Sequence, residues 1–289
     1  MNALTLFLVL AAACLHASWN FLAKRAGNSP GFVWLFNLLS MLLYAPVLCF
    51  VLITEHPALM WLQVVFLGGS ACLHLAYFLF LQRGYAFGDL SLAYPLARGT
   101  GPLLSTVCAI ALLGERPSLS ALCGIILLIG GVLFLVGNPW RIFAAASGKR
   151  GVIISAFVTG VFIAAYTIWD KEAVSTLRIS PLLLSEGSCL LLTCMLFPAA
   201  LKDWSKVKET WQAHRLKALG VGFLSPLAYL LILFALISSP VSQVAPLRES
   251  SVLIGTFMGA RFLSEKRGWS RLGAAALIMA GIILLAVSP

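Results

Sequence analysis

The sequence predicts an all-α integral membrane protein with ten transmembrane helices arranged as two inverted five-helix repeats. Three observations carry this. Apolar residues make up 61% of the 289 and charged residues only 10%, with mean hydropathy +0.98; a soluble domain has roughly 45–50% and about 25%. Ten mostly apolar segments, each about the 20 residues that span a bilayer, use most of the chain, and no sizeable soluble domain is expected. Two stretches at one fixed offset say nearly the same thing. Pro95, Leu96, Arg98, Leu113, Gly114, Glu115, Arg116, Leu122, Gly124 and Gly131 correspond to Pro246, Leu247, Arg248, Leu263, Ser264, Glu265, Lys266, Leu272, Ala274 and Gly281.

The first segment, about 3–22, is too long for a signal peptide, and no Lys or Arg precedes Lys24; it reads as a retained helix. The second, about 31–53, follows Ser29-Pro30, with Pro near the helix start. The third spans about 58–82. The fourth, about 90–113, holds Pro95, Arg98 and Pro102 and closes on Gly114-Glu115-Arg116. The fifth, about 118–138, ends at Asn138-Pro139-Trp140, and Ser147-Gly148-Lys149-Arg150 is a polar connector. The halves are therefore 1–140 and 148–289. The sixth, about 151–170, ends in Tyr166 to Lys171, which resembles Trp19 to Lys24. The seventh, about 180–200, follows Ser180-Pro181 as the second follows Ser29-Pro30. Next comes a polar stretch, about 201–217, with Trp204 and Trp211 among Lys and Glu; an interfacial amphipathic helix and a solvated loop both fit. The eighth, ninth and tenth span about 217–237, 241–263 and 269–287. Pro95 and Pro102 match Pro246 in position, and interrupted helices at matching positions point to a substrate site between the halves. Gly255 with Gly259, and Ala13 with Ala17, are spaced for close helix packing.

Fifteen of the 20 Lys and Arg fall in five short loops on one side of this topology. Arg116, Lys171 and Arg178 lie on the other, and Arg98 and Arg248 within spans. The rich side is predicted to be cytoplasmic, with both termini on the far side, and the two five-span halves are then inverted. The net charge of +10 sets orientation and does not call for nucleic acid. Seven Cys (14, 49, 72, 108, 123, 189 and 194) lie in apolar spans without Cys-x-x-Cys, and are read as small buried packing residues. No disulfide set, metal site or cofactor is expected.

With these marks the chain resembles a ten-helix member of the drug/metabolite transporter superfamily, of the EamA type. They are Ala111-Leu112-Leu113-Gly114-Glu115-Arg116 before Gly124 and Gly131, and Phe262-Leu263-Ser264-Glu265-Lys266 before Gly281. The resemblance covers nearly the whole chain. It implies a secondary carrier, often an exporter of amino acids or other small metabolites, with a central cavity lined by both halves. The opening Ala11-Ala12-Ala13-Cys14-Leu15-His16-Ala17-Ser18-Trp19-Asn20 is similar to a subgroup associated with phosphonate utilisation. The resemblance also implies cytoplasmic termini; the charge count says the opposite and is followed.

An Arg at the bilayer centre costs about 2.5–3.5 kcal/mol on translocon scales, so it faces a partner or a wet cavity. Arg98, followed by Gly99-Thr100-Gly101-Pro102, reads either as a fixed cation for a carboxylate or phosphonate group or as an ion pair with Glu249; Arg248 is its repeat counterpart. Glu249 and Glu186 are the most deeply placed acids and can exchange protons as their surroundings change. His16 and His74 can relay protons or simply bond across helices. Trp19, Asn20, Asn37, Tyr77, Tyr94, Thr100, Tyr229 and Gln243 are candidates to line a cavity of mixed character. Asp170 and Lys171 are read as a solvated interfacial pair. Glu115 and Glu265 are read as structural, pairing with Arg116 or Lys266 and capping a neighbour's amides.

The leading reading is a carrier of a small anionic or zwitterionic metabolite, an amino acid or aminophosphonate, working by alternating access and open to proton coupling. The alternative is an exporter of lipophilic cations, for which Glu186 and aromatic rings matter more than Arg98; a non-transporting membrane partner is a third class. Gly-x-Ser-x-Gly, His-Glu-x-x-His and Gly-x-x-x-x-Gly-Lys-Ser/Thr motifs are absent from the sequence, so an enzyme is not expected. The expected partners are the substrate and the lipid bilayer of the cell's inner (plasma) membrane. A monomer suffices because the repeat supplies both halves, and a homodimer is equally compatible.

Overall fold

A computed structural model describes residues 2–26, 30–55, 60–87, 90–136, 150–262 and 269–288. They form α1 (Ala3–Ala26), α2 (Pro30–Glu55), α3 (Trp61–Phe87), α4 (Leu90–Leu112) and α5 (Leu119–Val136) in the first half. The second half holds α6 (Arg150–Ser175), α7 (Pro181–Lys202), α8 (Trp204–Ser238), α9 (Val241–Arg248), α10 (Ser250–Phe262) and α11 (Trp269–Val287). Among the described residues α1, α2, α3, α6, α7 and α8 are long and apolar enough to cross a membrane, and α5 and α11 carry shorter apolar stretches. With α4 and the α9–α10 pair they make up the ten spans of an all-α, two-repeat membrane protein.

The halves interlock, and exchanging them preserves the main helix pairings. α1 lies along α8 as α3 lies along α6; α4 lies along α6 as α9 and α10 lie along α1; α2 meets α8 as α7 meets α3. α2 meets α7, and α5 meets α11, across the pseudo-twofold axis. The α5–α11 crossing explains the repeat's glycines. A Cβ on Gly281 would stand 2.7 Å from Gly124 O and 2.8 Å from Leu128 N. One on Gly131 would stand 2.9 Å from Ile278 N. Gly131 and Gly281 are repeat equivalents, and so are Leu128 and Ile278, so each helix brings its backbone against the other in the same way. Lipid gives no hydrophobic drive to helix association, and close backbone approach supplies dispersion contacts instead.

Several expectations change. The ninth segment is not one helix: α9 ends at Arg248, and Glu249 makes a tight turn (φ −71°, ψ −7°) before α10 begins. Pro246, which cannot donate to the helical ladder, lies in the last turn before the break. The polar stretch before the eighth span is helical, and α8 kinks at His214 (φ −136°, ψ 20°). Trp204 and Trp211 are part-exposed there while Val207 is buried, as suits a helix lying in the interface. Cys14, Cys49, Cys72, Cys123 and Cys194 are exposed rather than buried, because an apolar lipid-facing surface accepts them as readily as a core. A Cβ on Gly255 meets nothing within 4 Å, so Gly255 makes no close crossing, and the surroundings of Gly259 lie outside what the structure describes; Ala13 and Ala17 are buried as expected.

The glycine crossing predicts that Gly281→Val lowers the thermal midpoint in detergent, by the equivalent of about 1–3 kcal/mol of overpacking. Gly273→Ala, on the same helix with its nearest neighbour 3.9 Å from the new Cβ, leaves the midpoint unchanged.

Candidate functional site

The break between α9 and α10 lies where both halves meet. Arg98 of α4 places Nη1 3.2 Å from each carboxylate oxygen of Glu249, and its Nη2 lies 2.9 Å from His16 Nε2 on α1. A guanidinium only donates, so His16 accepts at Nε2 and carries its proton on Nδ1. Arg248 brings Nε to 4.0 Å from Glu249 Oε1 and donates from Nη2 to Tyr166 OH of α6 at 3.3 Å. Glu249 is 2% exposed. Two guanidinium groups therefore share one buried carboxylate. The repeat explains the imbalance: Arg98 and Arg248 are equivalents, but the equivalent of Glu249 in the first half is Gly99, whose missing side chain would run into Leu133.

The surroundings offer unused donors. Arg248 Nε, Ser250 Oγ, Ser251 Oγ and Trp19 Nε1 are buried without a hydrogen-bond partner among the described residues, as are the acceptor Gln243 Oε1 and Ser242 Oγ. Ser250 opens α10, so its hydroxyl stands at a helix N-terminus, where the backbone dipole favours an anion. Interrupted helices between two repeats are where carriers commonly hold charged groups.

Beyond Arg248, aromatic rings continue the site. Tyr166 stacks on His74 of α3 at 4.1 Å between centroids and meets Tyr77 edge-on at 5.9 Å. His74 is edge-on to Tyr229 of α8 at 5.5 Å, and its Nδ1 donates to Ser70 O at 2.9 Å. Tyr229 donates to Asp170 Oδ2 at 2.6 Å. Asp170 is 1% exposed, which corrects its reading as half of a solvated pair. Lys171 instead donates to Leu236 O at 2.6 Å and Ser239 O at 3.2 Å, at the C-terminus of α8.

That end of the bundle is fastened by opposite charges on opposite helix ends. Gly114, at φ +67°, closes α4 in the left-handed conformation that favours glycine, and turns Glu115 toward α9. Glu115 then accepts from Val241 N at 2.7 Å and Ser242 N at 2.9 Å. It caps α9 just after Lys171 has satisfied the last carbonyls of α8, an arrangement the helix dipoles favour. Its counterpart Glu265 lies outside the described residues, as does the side chain of Tyr94.

His16, Arg98, Arg248, Glu249, His74, Tyr77 and Tyr229 thus come together, with Trp19 edge-on to His16 at 4.9 Å. Thr100 lies beside them on α4, with its hydroxyl against Gly160 of α6. Asn20 is spent locally on His16 O, and Asn37 on Val33 O. Asn37 and Glu186 belong to a separate α2–α7 contact, where Cys189 reaches Asn37 and Glu186 is buried with Ser185 Oγ 3.4 Å from its Oε1. Sequence reasoning missed Tyr166, Asp170, Ser250 and Ser251 as site residues. The repeat could have found two of them: Tyr166 matches Trp19, and Ser250 matches Thr100.

A model of the EamA-like transporter family matches residues 3–137 and again 150–287. A solved chain described as a crystal structure of a protein superimposes with a TM-score of 0.77 at 17% identity, covering 98% of this chain and 96% of that one; at that identity the likeness is one of fold. The match does not extend to the phosphonate-associated subgroup, and no curated protein matches the chain.

The shared carboxylate predicts a test of the ion pair. Removing one member of a buried pair strands the other, at about 3–5 kcal/mol, whereas replacing both with apolar groups of similar size is near neutral. Glu249→Leu, which leaves both Arg98 and Arg248 without their carboxylate, should therefore lower the thermal midpoint more than Arg98→Met, which leaves Glu249 with Arg248, as read by thermal unfolding in one detergent.

Proposed function

Because the chain belongs to the EamA-like transporter family and is a multi-pass membrane protein, we propose that it is a secondary carrier of a small anionic or zwitterionic metabolite. Amino acids and aminophosphonates are the chemical class, and the carrier works by alternating access. One observation carries this: the site between the halves holds two arginines against one carboxylate. A surplus positive charge in a low-dielectric interior favours an anionic ligand. Arg248, with a buried Nε that makes no hydrogen bond, Ser250 and Ser251 at the start of α10, and Arg98 are the groups that receive the carboxylate or phosphonate. Arg98 holds Glu249 through a single nitrogen at 3.2 Å rather than in the shorter two-pronged geometry of a strong fork, so an incoming anion can displace Glu249. His16, Trp19, Gln243 and Tyr77 form the mixed polar and aromatic wall.

The carrier sits in the inner (plasma) membrane. The excess of Lys and Arg in five loops supports a cytoplasmic face there and termini on the other side. Alternating access then amounts to rocking the interlocked halves about the arginine centre, with the Glu115–Lys171 fastening closing one end. A second reading, an exporter of lipophilic cations, has one observation in its favour: Glu186 is buried with Oε2 unpartnered.

Ligand-induced thermal stabilisation separates the two. A ligand that binds only the folded state at about 100 times its Kd adds about 2.7 kcal/mol of apparent stability. The panel holds amino acids, 2-aminoethylphosphonate, other small phosphonates and organic cations. A shift with an anionic or zwitterionic compound, lost in Arg248→Ala and in Arg98→Ala, is expected. A shift with organic cations alone, lost in Glu186→Gln, would overturn the proposal in favour of the second reading.

A further inference from the structure

Asp170, like Glu186, is a buried acid outside the ion pairs, but it alone of the two adjoins the Tyr166–His74 stack and Arg248. Its carboxylate has no cation in contact: the ion pairs among the described residues are Arg98–Glu249, Arg248–Glu249 and Lys206–Asp203. Lys171, its neighbour in sequence, is committed to the carbonyls of Leu236 and Ser239. Oδ2 accepts from Tyr229, and Oδ1 is buried without a hydrogen-bond partner among the described residues. An ionised carboxylate left so far from water is costly, so this group has to hold a cation.

Geometry selects which cation. The charged and titratable groups that face Asp170 are His74 from α3, Tyr229 from α8 and Arg248 from α9, with Ser70 of α3 beside it, and Tyr166 of its own helix in the adjoining stack. α4 meets α6 through Thr100 and Gly101 against Gly160 and Ile163, and its Arg98 is engaged by Glu249 and His16. On α7, Cys189 faces Asn37 of α2, and Glu186 interacts with Tyr44 of α2. Asp170 itself is 1% exposed. Trp169 fills the space beside Gly69, where a Cβ would come within 2.5 Å of its ring, and stacks on Phe66 at 4.3 Å. A proton is the cation that a carboxylate only 1% exposed holds without displacing these neighbours. A metal cation would need several oxygen ligands; the hydroxyl nearest Asp170 is already donating to it, and no metal-holding cluster occurs among the described residues.

We propose that Asp170, hydrogen-bonded to Tyr229 and flanked by the Tyr166–His74 stack, carries the exchangeable proton that couples transport to a proton gradient. The proposal rests on the carrier reading above. The carboxylate takes a proton from water when the α6 end of the bundle opens and holds it as a neutral acid while that end is closed. It returns the proton to water on the other side. Tyr166 and Arg248 link this group to the anion site, so arrival of a negative ligand at Arg248 changes the field at Asp170.

Two measurements test it. Infrared difference spectroscopy of the purified, ligand-free protein between low and high pH should show a protonated-carboxyl band. That band should be missing in Asp170→Asn, retained in Glu186→Gln and shifted in Tyr229→Phe, which removes its donor. A band unchanged by Asp170→Asn overturns the proposal; if that variant does not fold, a band unchanged in Tyr229→Phe overturns it. In proteoliposomes under an imposed pH gradient, with 2-aminoethylphosphonate as probe, wild type should accumulate the probe. Asp170→Asn should fall to the level of protein-free liposomes, and Asp170→Glu should recover. Accumulation by Asp170→Asn equal to wild type overturns the proposal. A probe that wild type does not carry at all counts against the carrier reading, while the infrared outcome still decides the site of the proton.

Discussion

Two arginines compete for one carboxylate at the centre of this molecule, and most of the structure is arranged around that imbalance. The repeat places Arg98 and Arg248 at equivalent positions, one in each half. It supplies Glu249 only once, because the matching position holds Gly99 packed against Leu133. Guanidinium groups within a membrane-spanning bundle persist only with partners. Here they take Glu249, next to Arg248 in sequence, together with His16 of α1 and Tyr166 of α6. The helix carrying Arg248 is interrupted at Glu249, and α10 begins directly after it with Ser250 and Ser251, whose buried hydroxyls have no hydrogen-bond partner among the described residues.

Such a centre holds together only if the helices around it are fixed to one another without help from water exclusion. Close backbone approach does this at α5 and α11, and the helix-end charges do it at the turn between α8 and α9. There Lys171 answers the outgoing carbonyls and Glu115 the incoming amides. Thr5 adds a hydroxyl contact to Ser239 at 2.7 Å in the same turn. Of these contacts, those of Glu115 and Thr5 join the first half to the α8–α9 turn of the second, so a change in the relative position of the halves has to break them together.

Much of this was legible in the sequence, for physical reasons. Membrane spans announce themselves by length and hydropathy, and a repeat at fixed offset survives because Gly131, Gly281, Glu115 and the two arginines each have a structural duty. The pairing of Arg98 with Glu249 was one of two readings on offer. Other features were hidden. Asp170 and Lys171 are adjacent in sequence and look like a pair, but successive residues on a helix do not face each other. One turns inward to Tyr229 and the other along the helix to Leu236. The exposed cysteines were misplaced because lipid and protein core are equally apolar, so hydropathy does not tell the two faces of a span apart. Pro246 marked this span for an interruption but did not place it at Glu249, and Ser250 and Ser251 gained meaning only once the break was seen.

The central claim is that Glu249 is the exchangeable counter-ion which a substrate anion displaces from the arginines. The most direct measurement is the affinity of Glu249→Gln, against wild type, for whichever anionic or zwitterionic compound stabilises the wild-type protein, read by calorimetric titration. If carboxylate and ligand compete for the same guanidinium groups, neutralising Glu249 tightens binding. Affinity that is unchanged or lost in Glu249→Gln would contradict the account and leave Glu249 a structural partner of Arg98.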